Sequence, residues 1–195
     1  MKVLLVKPHN QSDHIQPSLG LGYLATAVRN KHNVAILDCI KEDMGQDRFI
    51  EYIKKHDPDV IGLQCYTFDL PFIKNALKAI KAYRKDIVTV IGGPHPSTEP
   101  LNTMQLFGDT LDFLFVGEAE IGFPKLLVLL ASGGTGYDAV PGLMWRDAGI
   151  VKSVPRASVD DLDSLGLPAW DLIHPETYPE SQHGAFFKQF PIAPI

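Results

Sequence analysis

The chain has 195 residues, 45% of them hydrophobic and 21% charged, enough for one globular core and a short appendage. Eighteen basic against 23 acidic residues give a net charge of −5, so no basic stripe exists and nucleic acid is not the default partner. No apolar run reaches the roughly 18 residues of a membrane span, the start MKVLLVKPH is too soon polar for a signal peptide, and two cysteines without a secretory signal point to a reducing cytoplasm.

The first 130 residues alternate between two hydrophobic periods. Val3-Leu4-Leu5-Val6 is a continuous apolar run of the kind that forms a strand buried on both faces. Leu19 to Arg29 reads as a helix, with Leu21, Leu24, Ala25 and Val28 on one stripe. Val34 to Leu37 is a second strand, and Arg48 to His56 a second helix. Val60 to Cys65 forms a third strand. Pro71 opens a helix that runs to about Arg84. Ile87 to Ile91 is the fourth strand, Leu101 to Phe107 a weaker helix, and Phe113 to Val116 the fifth strand. Ile121 to Leu130 is a final helix, closed by Gly133-Gly134.

Strands separated by helices make a parallel sheet covered on both faces. Right-handed crossovers favour a doubly wound α/β domain, flavodoxin- or Rossmann-like, with five strands in the order 2-1-3-4-5. After residue 135 the pattern changes. Gly142 to Arg146 and Ile150 to Val154 flank Asp147-Ala148-Gly149 as a β-hairpin, with Gly149 at the left-handed position. The remaining Pro- and Asp-punctuated stretch reads as a linker strap. The expected division is therefore 1–135 for the sheet domain and 136–195 for the hairpin and strap.

Ligands in such sheets bind beyond the carboxyl ends of the strands, so the loops there carry the candidates. The loop from Lys7 to Ser18 is long for a strand-to-helix connection. Gly20-Leu21-Gly22-Tyr23-Leu24-Ala25 matches G-x-G-x-x-A, with Asp38 at the end of the second strand. In a dinucleotide site, however, the first glycine must turn tightly off the strand, and here it lies more than ten residues beyond. The two glycines fit better as places where the helix approaches a bulky ligand or the sheet. Asp38 then reads as a turn or cap residue.

Gln64-Cys65-Tyr66-Thr67-Phe68-Asp69 sets polar atoms and two aromatics at the sheet edge. Asp69 is placed to cap the helix that Pro71 enters; Tyr66 and Phe68 suit a ligand platform, and Cys65 suits a small buried hydrophobe better than a nucleophile. Gly92-Gly93-Pro94-His95-Pro96-Ser97 lets backbone lie against a wide ligand, with His95 held stiffly between prolines. Gly117-Glu118-Ala119-Glu120 places two carboxylates near a helix start, where the dipole alone would favour them. No phosphate-loop motif occurs. His9, His14, His32, His56, His174 and His183 show no metal-ligand spacing, and no residue stands out as catalytic.

Taken in order, MKVLLVKPH, PSLGLGYLATAVR, AILDC, PDVIGLQCYTF, VTVIGGPHPS and DFLFVGEAE resemble the N-terminal cobalamin-binding domain of cobalamin-dependent radical S-adenosylmethionine enzymes. PGLMWRDAGIVKS and DDLDSLGLPAWDLI resemble the hairpin and strap that precede the radical barrel in that family. The resemblance implies cobalamin as cofactor, held by Ser18, Leu19, Gly20 and Gly22 of the first loop and helix, by Gln64, Tyr66, Thr67 and Phe68, by Gly92, Gly93, Pro94 and His95, and by Gly117 and Glu118.

The mutase-type motif D-x-H-x-x-G is missing from Asp13-His14-Ile15-Gln16-Pro17-Ser18. The resemblance therefore implies a base-off cobalamin without a histidine lower ligand. The family's C-x-x-x-C-x-x-C cluster motif is also missing. The expectation is that the chain is a piece of a longer enzyme, not catalytic alone, whose C-terminal barrel in cis would hold a [4Fe-4S] cluster and S-adenosylmethionine and transfer a methyl group. Two alternatives stay open. One is a cofactor-free docking module, suggested by Phe186, Phe187, Phe190 and Ile192; the other is a dinucleotide-binding domain.

Overall fold

The computed structural model describes residues 1–11 and 15–179. The chain alternates β1 (Lys2–Lys7), α1 (Leu19–Val28), β2 (Asn33–Asp38), α2 (Gln46–His56), β3 (Val60–Gln64) and α3 (Leu70–Tyr83). It continues through β4 (Val88–Gly92), α4 (Pro94–Thr98), α5 (Pro100–Phe107), β5 (Phe113–Phe115) and α6 (Gly122–Ser132). The hairpin strands β6 (Leu143–Asp147) and β7 (Ile150–Ser153) and the short α7 (Trp170–Ile173) complete it.

The seven strands form one sheet in the order β2-β1-β3-β4-β5-β6-β7. The five parallel strands follow the order expected from the sequence, and the hairpin adds two antiparallel strands beside β5 rather than standing apart from the sheet. Val3 pairs with Val34 on one side and Val60 on the other, so β1 is an inner strand and its apolar run is buried on both faces. Strand periodicity divides that run between two cores. Leu4 and Val6 pack with Phe49, Ile53, Ile73, Leu77 and Met104 from α2, α3 and α5. Val3 and Leu5 pack with Leu21, Ala25, Phe123 and Leu127 from α1 and α6. Each fully buried side chain of this size contributes about 1.5–3 kcal/mol.

The helix ends show why the boundaries fall where they do. Gly133 closes α6 at φ 68°, and Gly134 N–H donates to Leu129 O at 2.9 Å, a left-handed stop that only glycine adopts freely. Residues 94–98 form a helical turn where the sequence suggested a rigid loop. Gly93 at φ 113° turns the chain off β4, and Pro94 supplies a helical φ at the first position. Asp69 does not cap α3 as expected. Its Oδ2 accepts instead from the Tyr66 N–H at 2.8 Å, across a 3-10 turn over Thr67–Asp69 that precedes the helix.

The strap leaves β7 at one edge of the sheet, and its described part reaches the end of β2 at the opposite edge. It is pinned to α1 on the way. Thr26 Oγ1 donates to Leu167 O at 2.7 Å, Ala169 N donates to Gly22 O at 3.1 Å, and Arg29 holds Asp171 with two bonds of 2.7 and 2.5 Å. Its residues Ala169, Ile173 and Tyr178 are buried. The apolar residues Phe186, Phe187, Phe190 and Ile192 lie outside the described residues. No helix among the described residues is long and apolar enough to cross a membrane.

Candidate functional site

Two cavities open at the carboxyl ends of the strands. The first, about 210 Å³, lies between the sheet and the α1/α6 layer, lined by Leu5, Leu63, Val90 and Phe123 and by Gly92, Gly117, Glu118 and Glu120. The second, about 470 Å³, is an open groove between Gln16, Pro17, Ser18 and Leu19 on one side and Tyr66, Phe68 and Asp69 on the other. Gly20 and Gln64 line both, so the two cavities meet there.

Sheet topology creates this junction. At the C-terminal side of β1 the chain leaves through the long loop to α1, and Gln64 ends the neighbouring β3. Gly20 stands in the first turn of α1 with open space beyond it: a Cβ there would meet nothing within 4 Å. Ser18 Oγ donates to Gln64 Oε1 at 3.0 Å, joining the loop to the strand tip.

The aromatic pair has the form of a platform. Tyr66 and Phe68 are stacked at 5.4 Å between centroids with 3° between planes, and both are exposed, 40% and 59%. Apolar rings that remain this exposed beside a groove offer a flat surface to a ligand. Beneath them Asp69 is buried and accepts from the Tyr66 N–H and from Asn10 Nδ2 at 2.8 Å each. Burial raises its pKa, and those two hydrogen bonds oppose the rise.

The loop after β4 is held close to β3. Cys65 N donates to Gly92 O at 2.8 Å, and His95 N donates to Cys65 O at 3.1 Å. A Cβ on Gly93 would stand 3.1 Å from both the nitrogen and oxygen of Cys65, so this close approach requires glycine. Ser97 Oγ donates to Gly93 O at 2.8 Å and accepts from Gly117 N at 2.9 Å, tying the same loop to the tip of β5. Gly117, at φ 78°, lies under the Arg156 side chain.

Ser18, Leu19, Gly20, Gln64, Tyr66 and Phe68 thus line the groove, while Gly92, Gly93, Gly117 and Glu118 line the apolar cleft together with Gly20 and Gln64. Thr67, Pro94 and His95 line neither; Thr67 Oγ1 and His95 Nδ1 meet each other at 3.1 Å, bridging two rim loops. Gly22 departs from the expectation. A Cβ there would stand 2.6 Å from Ile173 Cδ1 and 2.8 Å from Pro168 Cβ, so its missing side chain makes room for the strap, not for a ligand. His14 lies outside the described residues.

One polar group changes the character of the cleft. Glu120 Oε2 is buried without a hydrogen-bond partner, and burial, aided by Glu118, raises the pKa of its carboxyl. Burial and the neighbouring Asp69 push the Cys65 thiol up to about 12, so it remains a neutral thiol at physiological pH and suits the small-hydrophobe reading.

Sequence reasoning left out Lys7, Asn10 and Phe123, which line the cavities from β1, from the loop after it and from α6. Lys7 at a strand end and Asn10 in the long loop carried a positional signal. Phe123 shares a helix stripe with core residues and carried none.

The B12 binding domain family matches residues 10–127. An uncharacterized methyltransferase, PH0819, of Pyrococcus horikoshii is 32% identical over 185 residues, covering 91% of this chain and 40% of that protein. The cobalamin-dependent radical SAM methyltransferase TokK of Streptomyces tokunonensis is 33% identical over 90 residues, 46% of this chain and 13% of TokK. The structure of the cobalamin-dependent S-adenosylmethionine radical enzyme OxsB, with aqua-cobalamin and S-adenosylmethionine bound, superposes with a TM-score of 0.71 at 19% identity. That match covers 93% of this chain and 24% of OxsB. This chain therefore spans well under half the length of each of these proteins.

Proposed function

The chain belongs to the B12-binding domain family, and from that premise we propose that the two joined strand-tip cavities hold cobalamin. One observation carries the assignment: the apolar cleft and the open groove meet at Gly20 and Gln64. A corrin with a nucleotide tail needs a broad exposed surface continuous with a narrow slot. The open space over Gly20 leaves the α1 side of the junction clear. The groove has apolar rings from Tyr66 and Phe68 for a macrocycle face and hydrogen-bonding groups from Ser18 and Gln64 for its amide fringe. The cleft is apolar enough for a heterocyclic base, and the orphaned Glu120 Oε2 is a polar atom that a nucleotide tail can satisfy.

In this reading Gly92, Gly93 and Gly117 keep the rim low, with Glu118 at the mouth, while Leu19 and Gly20 border the macrocycle. Thr67, Pro94 and His95 act from behind, by fixing the two rim loops. Gly22 holds the strap. The departure of Asp13-His14-Ile15-Gln16-Pro17-Ser18 from the D-x-H-x-x-G motif is the ground for a base-off cobalamin without a histidine lower ligand. When bound, cobalamin supplies a cobalt centre that carries the transferable group, and the protein contributes binding, orientation and exclusion of water.

The reading extends to the longer protein. A C-terminal radical barrel in cis would add a [4Fe-4S] cluster and S-adenosylmethionine and complete a cytoplasmic methyltransferase, with residues 136–195 leading towards it. The similarity to PH0819 and TokK supports this. The dinucleotide alternative is disfavoured by Gly22, whose Cα is covered by the strap and so is closed to a pyrophosphate. Equilibrium dialysis against hydroxocobalamin tests the proposal. Retention of about one equivalent supports it; retention no greater than that of a control protein refutes it.

A further inference from the structure

The strap and the groove are connected by a continuous chain of hydrogen bonds through a buried carboxylate. Tyr178, near the strap's described end, is buried, and its hydroxyl donates to Asp38 Oδ2 at 2.8 Å. Asp38 closes β2 and is only 6% exposed. The same oxygen accepts from Lys7 Nζ at 3.0 Å, and Lys7 Nζ donates onward to Gln16 O at 2.7 Å. Gln16 lies in the groove wall, two residues before Ser18, whose hydroxyl holds Gln64. The other oxygen of Asp38 accepts from the Ile40 and Lys41 amides at 3.0 Å each, so main chain fixes the carboxylate in place.

From this we propose that Tyr178, Asp38 and Lys7 are positioning residues that set the groove loop through Gln16, so that docking of the strap and binding of cobalamin in the groove are coupled. The inference rests on the cobalamin reading for its ligand and on the hydrogen bonds alone for the coupling. The bistable element is the strap, docked or lifted at Tyr178. Lifting it removes one donor from Asp38 and leaves Lys7 to divide its charge between a more exposed carboxylate and the Gln16 carbonyl. The loop then loses its fixed anchor. Coupling of this kind is reciprocal: a ligand that favours the ordered loop must favour the docked strap by the same factor.

Stability alone does not require the Tyr178 anchor. The strap is already held on α1 by Arg29–Asp171 and by the Ala169–Gly22 contact. At Tyr178 it nevertheless reaches across to the end of β2 and joins Asp38, the carboxylate that also holds Lys7. In the longer protein proposed above, this joint would report cofactor occupancy towards the C-terminal barrel.

Amide hydrogen exchange on the wild-type chain, Tyr178→Phe, Lys7→Met and the double variant tests the inference. In the cofactor-free protein, Tyr178→Phe accelerates exchange over residues 15–20 several-fold, and the double variant adds little to Lys7→Met. Hydroxocobalamin titration gives a Kd about tenfold weaker in Tyr178→Phe, and saturating hydroxocobalamin slows exchange over residues 169–178 of the wild type. Unchanged exchange over residues 15–20 in Tyr178→Phe overturns the coupling, as does faster exchange with an unaltered Kd. The first arm needs no cofactor, so it reads the coupling even if the wild type fails to retain hydroxocobalamin, an outcome that refutes the site assignment instead.

Discussion

Gly93 rests against the main chain of Cys65 so closely that a Cβ would lie 3.1 Å from both the Cys65 nitrogen and its carbonyl oxygen. The contact fixes how far the loop after β4 sits from the tip of β3. Gly93 also has φ 113°, where side chains other than hydrogen are strained. Gly93→Ala is therefore expected to destabilise the fold by about 1–3 kcal/mol, and to lower Tm by about 2–4 °C for each kcal/mol. A melting curve unchanged from wild type would contradict the close approach.

Gly20 gives the opposite expectation. It is exposed in the first turn of α1 with nothing within 4 Å of its missing Cβ. Gly20→Ala should stabilise the cofactor-free protein by up to about 0.5–1 kcal/mol, the usual helical penalty of glycine. Gly20→Leu should fold normally and fill the junction of the two cavities, weakening hydroxocobalamin binding at least tenfold. Paired melting and binding measurements on the two variants check both statements.

Gly22 tests the strap. A Cβ there would press on Ile173 Cδ1 at 2.6 Å and Pro168 Cβ at 2.8 Å. Gly22→Ala should loosen residues 166–174, seen as faster limited proteolysis in that stretch with little change in the sheet. Ile173→Val in the same chain removes the nearest clashing atom and should restore part of the protection. Equal proteolysis rates in wild type and Gly22→Ala would contradict this packing.

Glu120 gives a pH signature. Burial raises its carboxyl pKa above the unfolded value. Such a group leaves stability intact below the unfolded pKa and lowers it as pH rises through the folded one. Gln has the same shape and no charge. Glu120→Gln should therefore have a higher Tm than wild type at pH 7–8, with the difference vanishing near pH 4. A constant offset at both pH values would show that charge burial is not the cause.

The sheet was legible because its signals are local and redundant. Short apolar runs with helical stripes between them fix five parallel strands, and Asp147-Ala148-Gly149 fixes the hairpin. Ala148 at φ 47° and Gly149 at φ 83° form the left-handed turn, of which the sequence marks only the glycine. The site was legible in part. Rim glycines and the Tyr66–Phe68 pair announce themselves by type and position, whereas the role of Gly22 depends on the strap some 145 residues later, a contact without local signature. The link from Tyr178 to Asp38 spans 140 positions and was hidden for the same reason. Asp69 misled because helix caps and 3-10 turns use the same residue types before a proline.

The most direct measurement is a visible-absorption titration of the wild-type chain and Gly20→Leu with hydroxocobalamin. A saturable spectral change at one equivalent in the wild type, lost in Gly20→Leu, is the predicted result. A spectrum that the wild-type chain leaves unaltered, or alters no more than Gly20→Leu does, would contradict cobalamin binding at the junction of the two cavities.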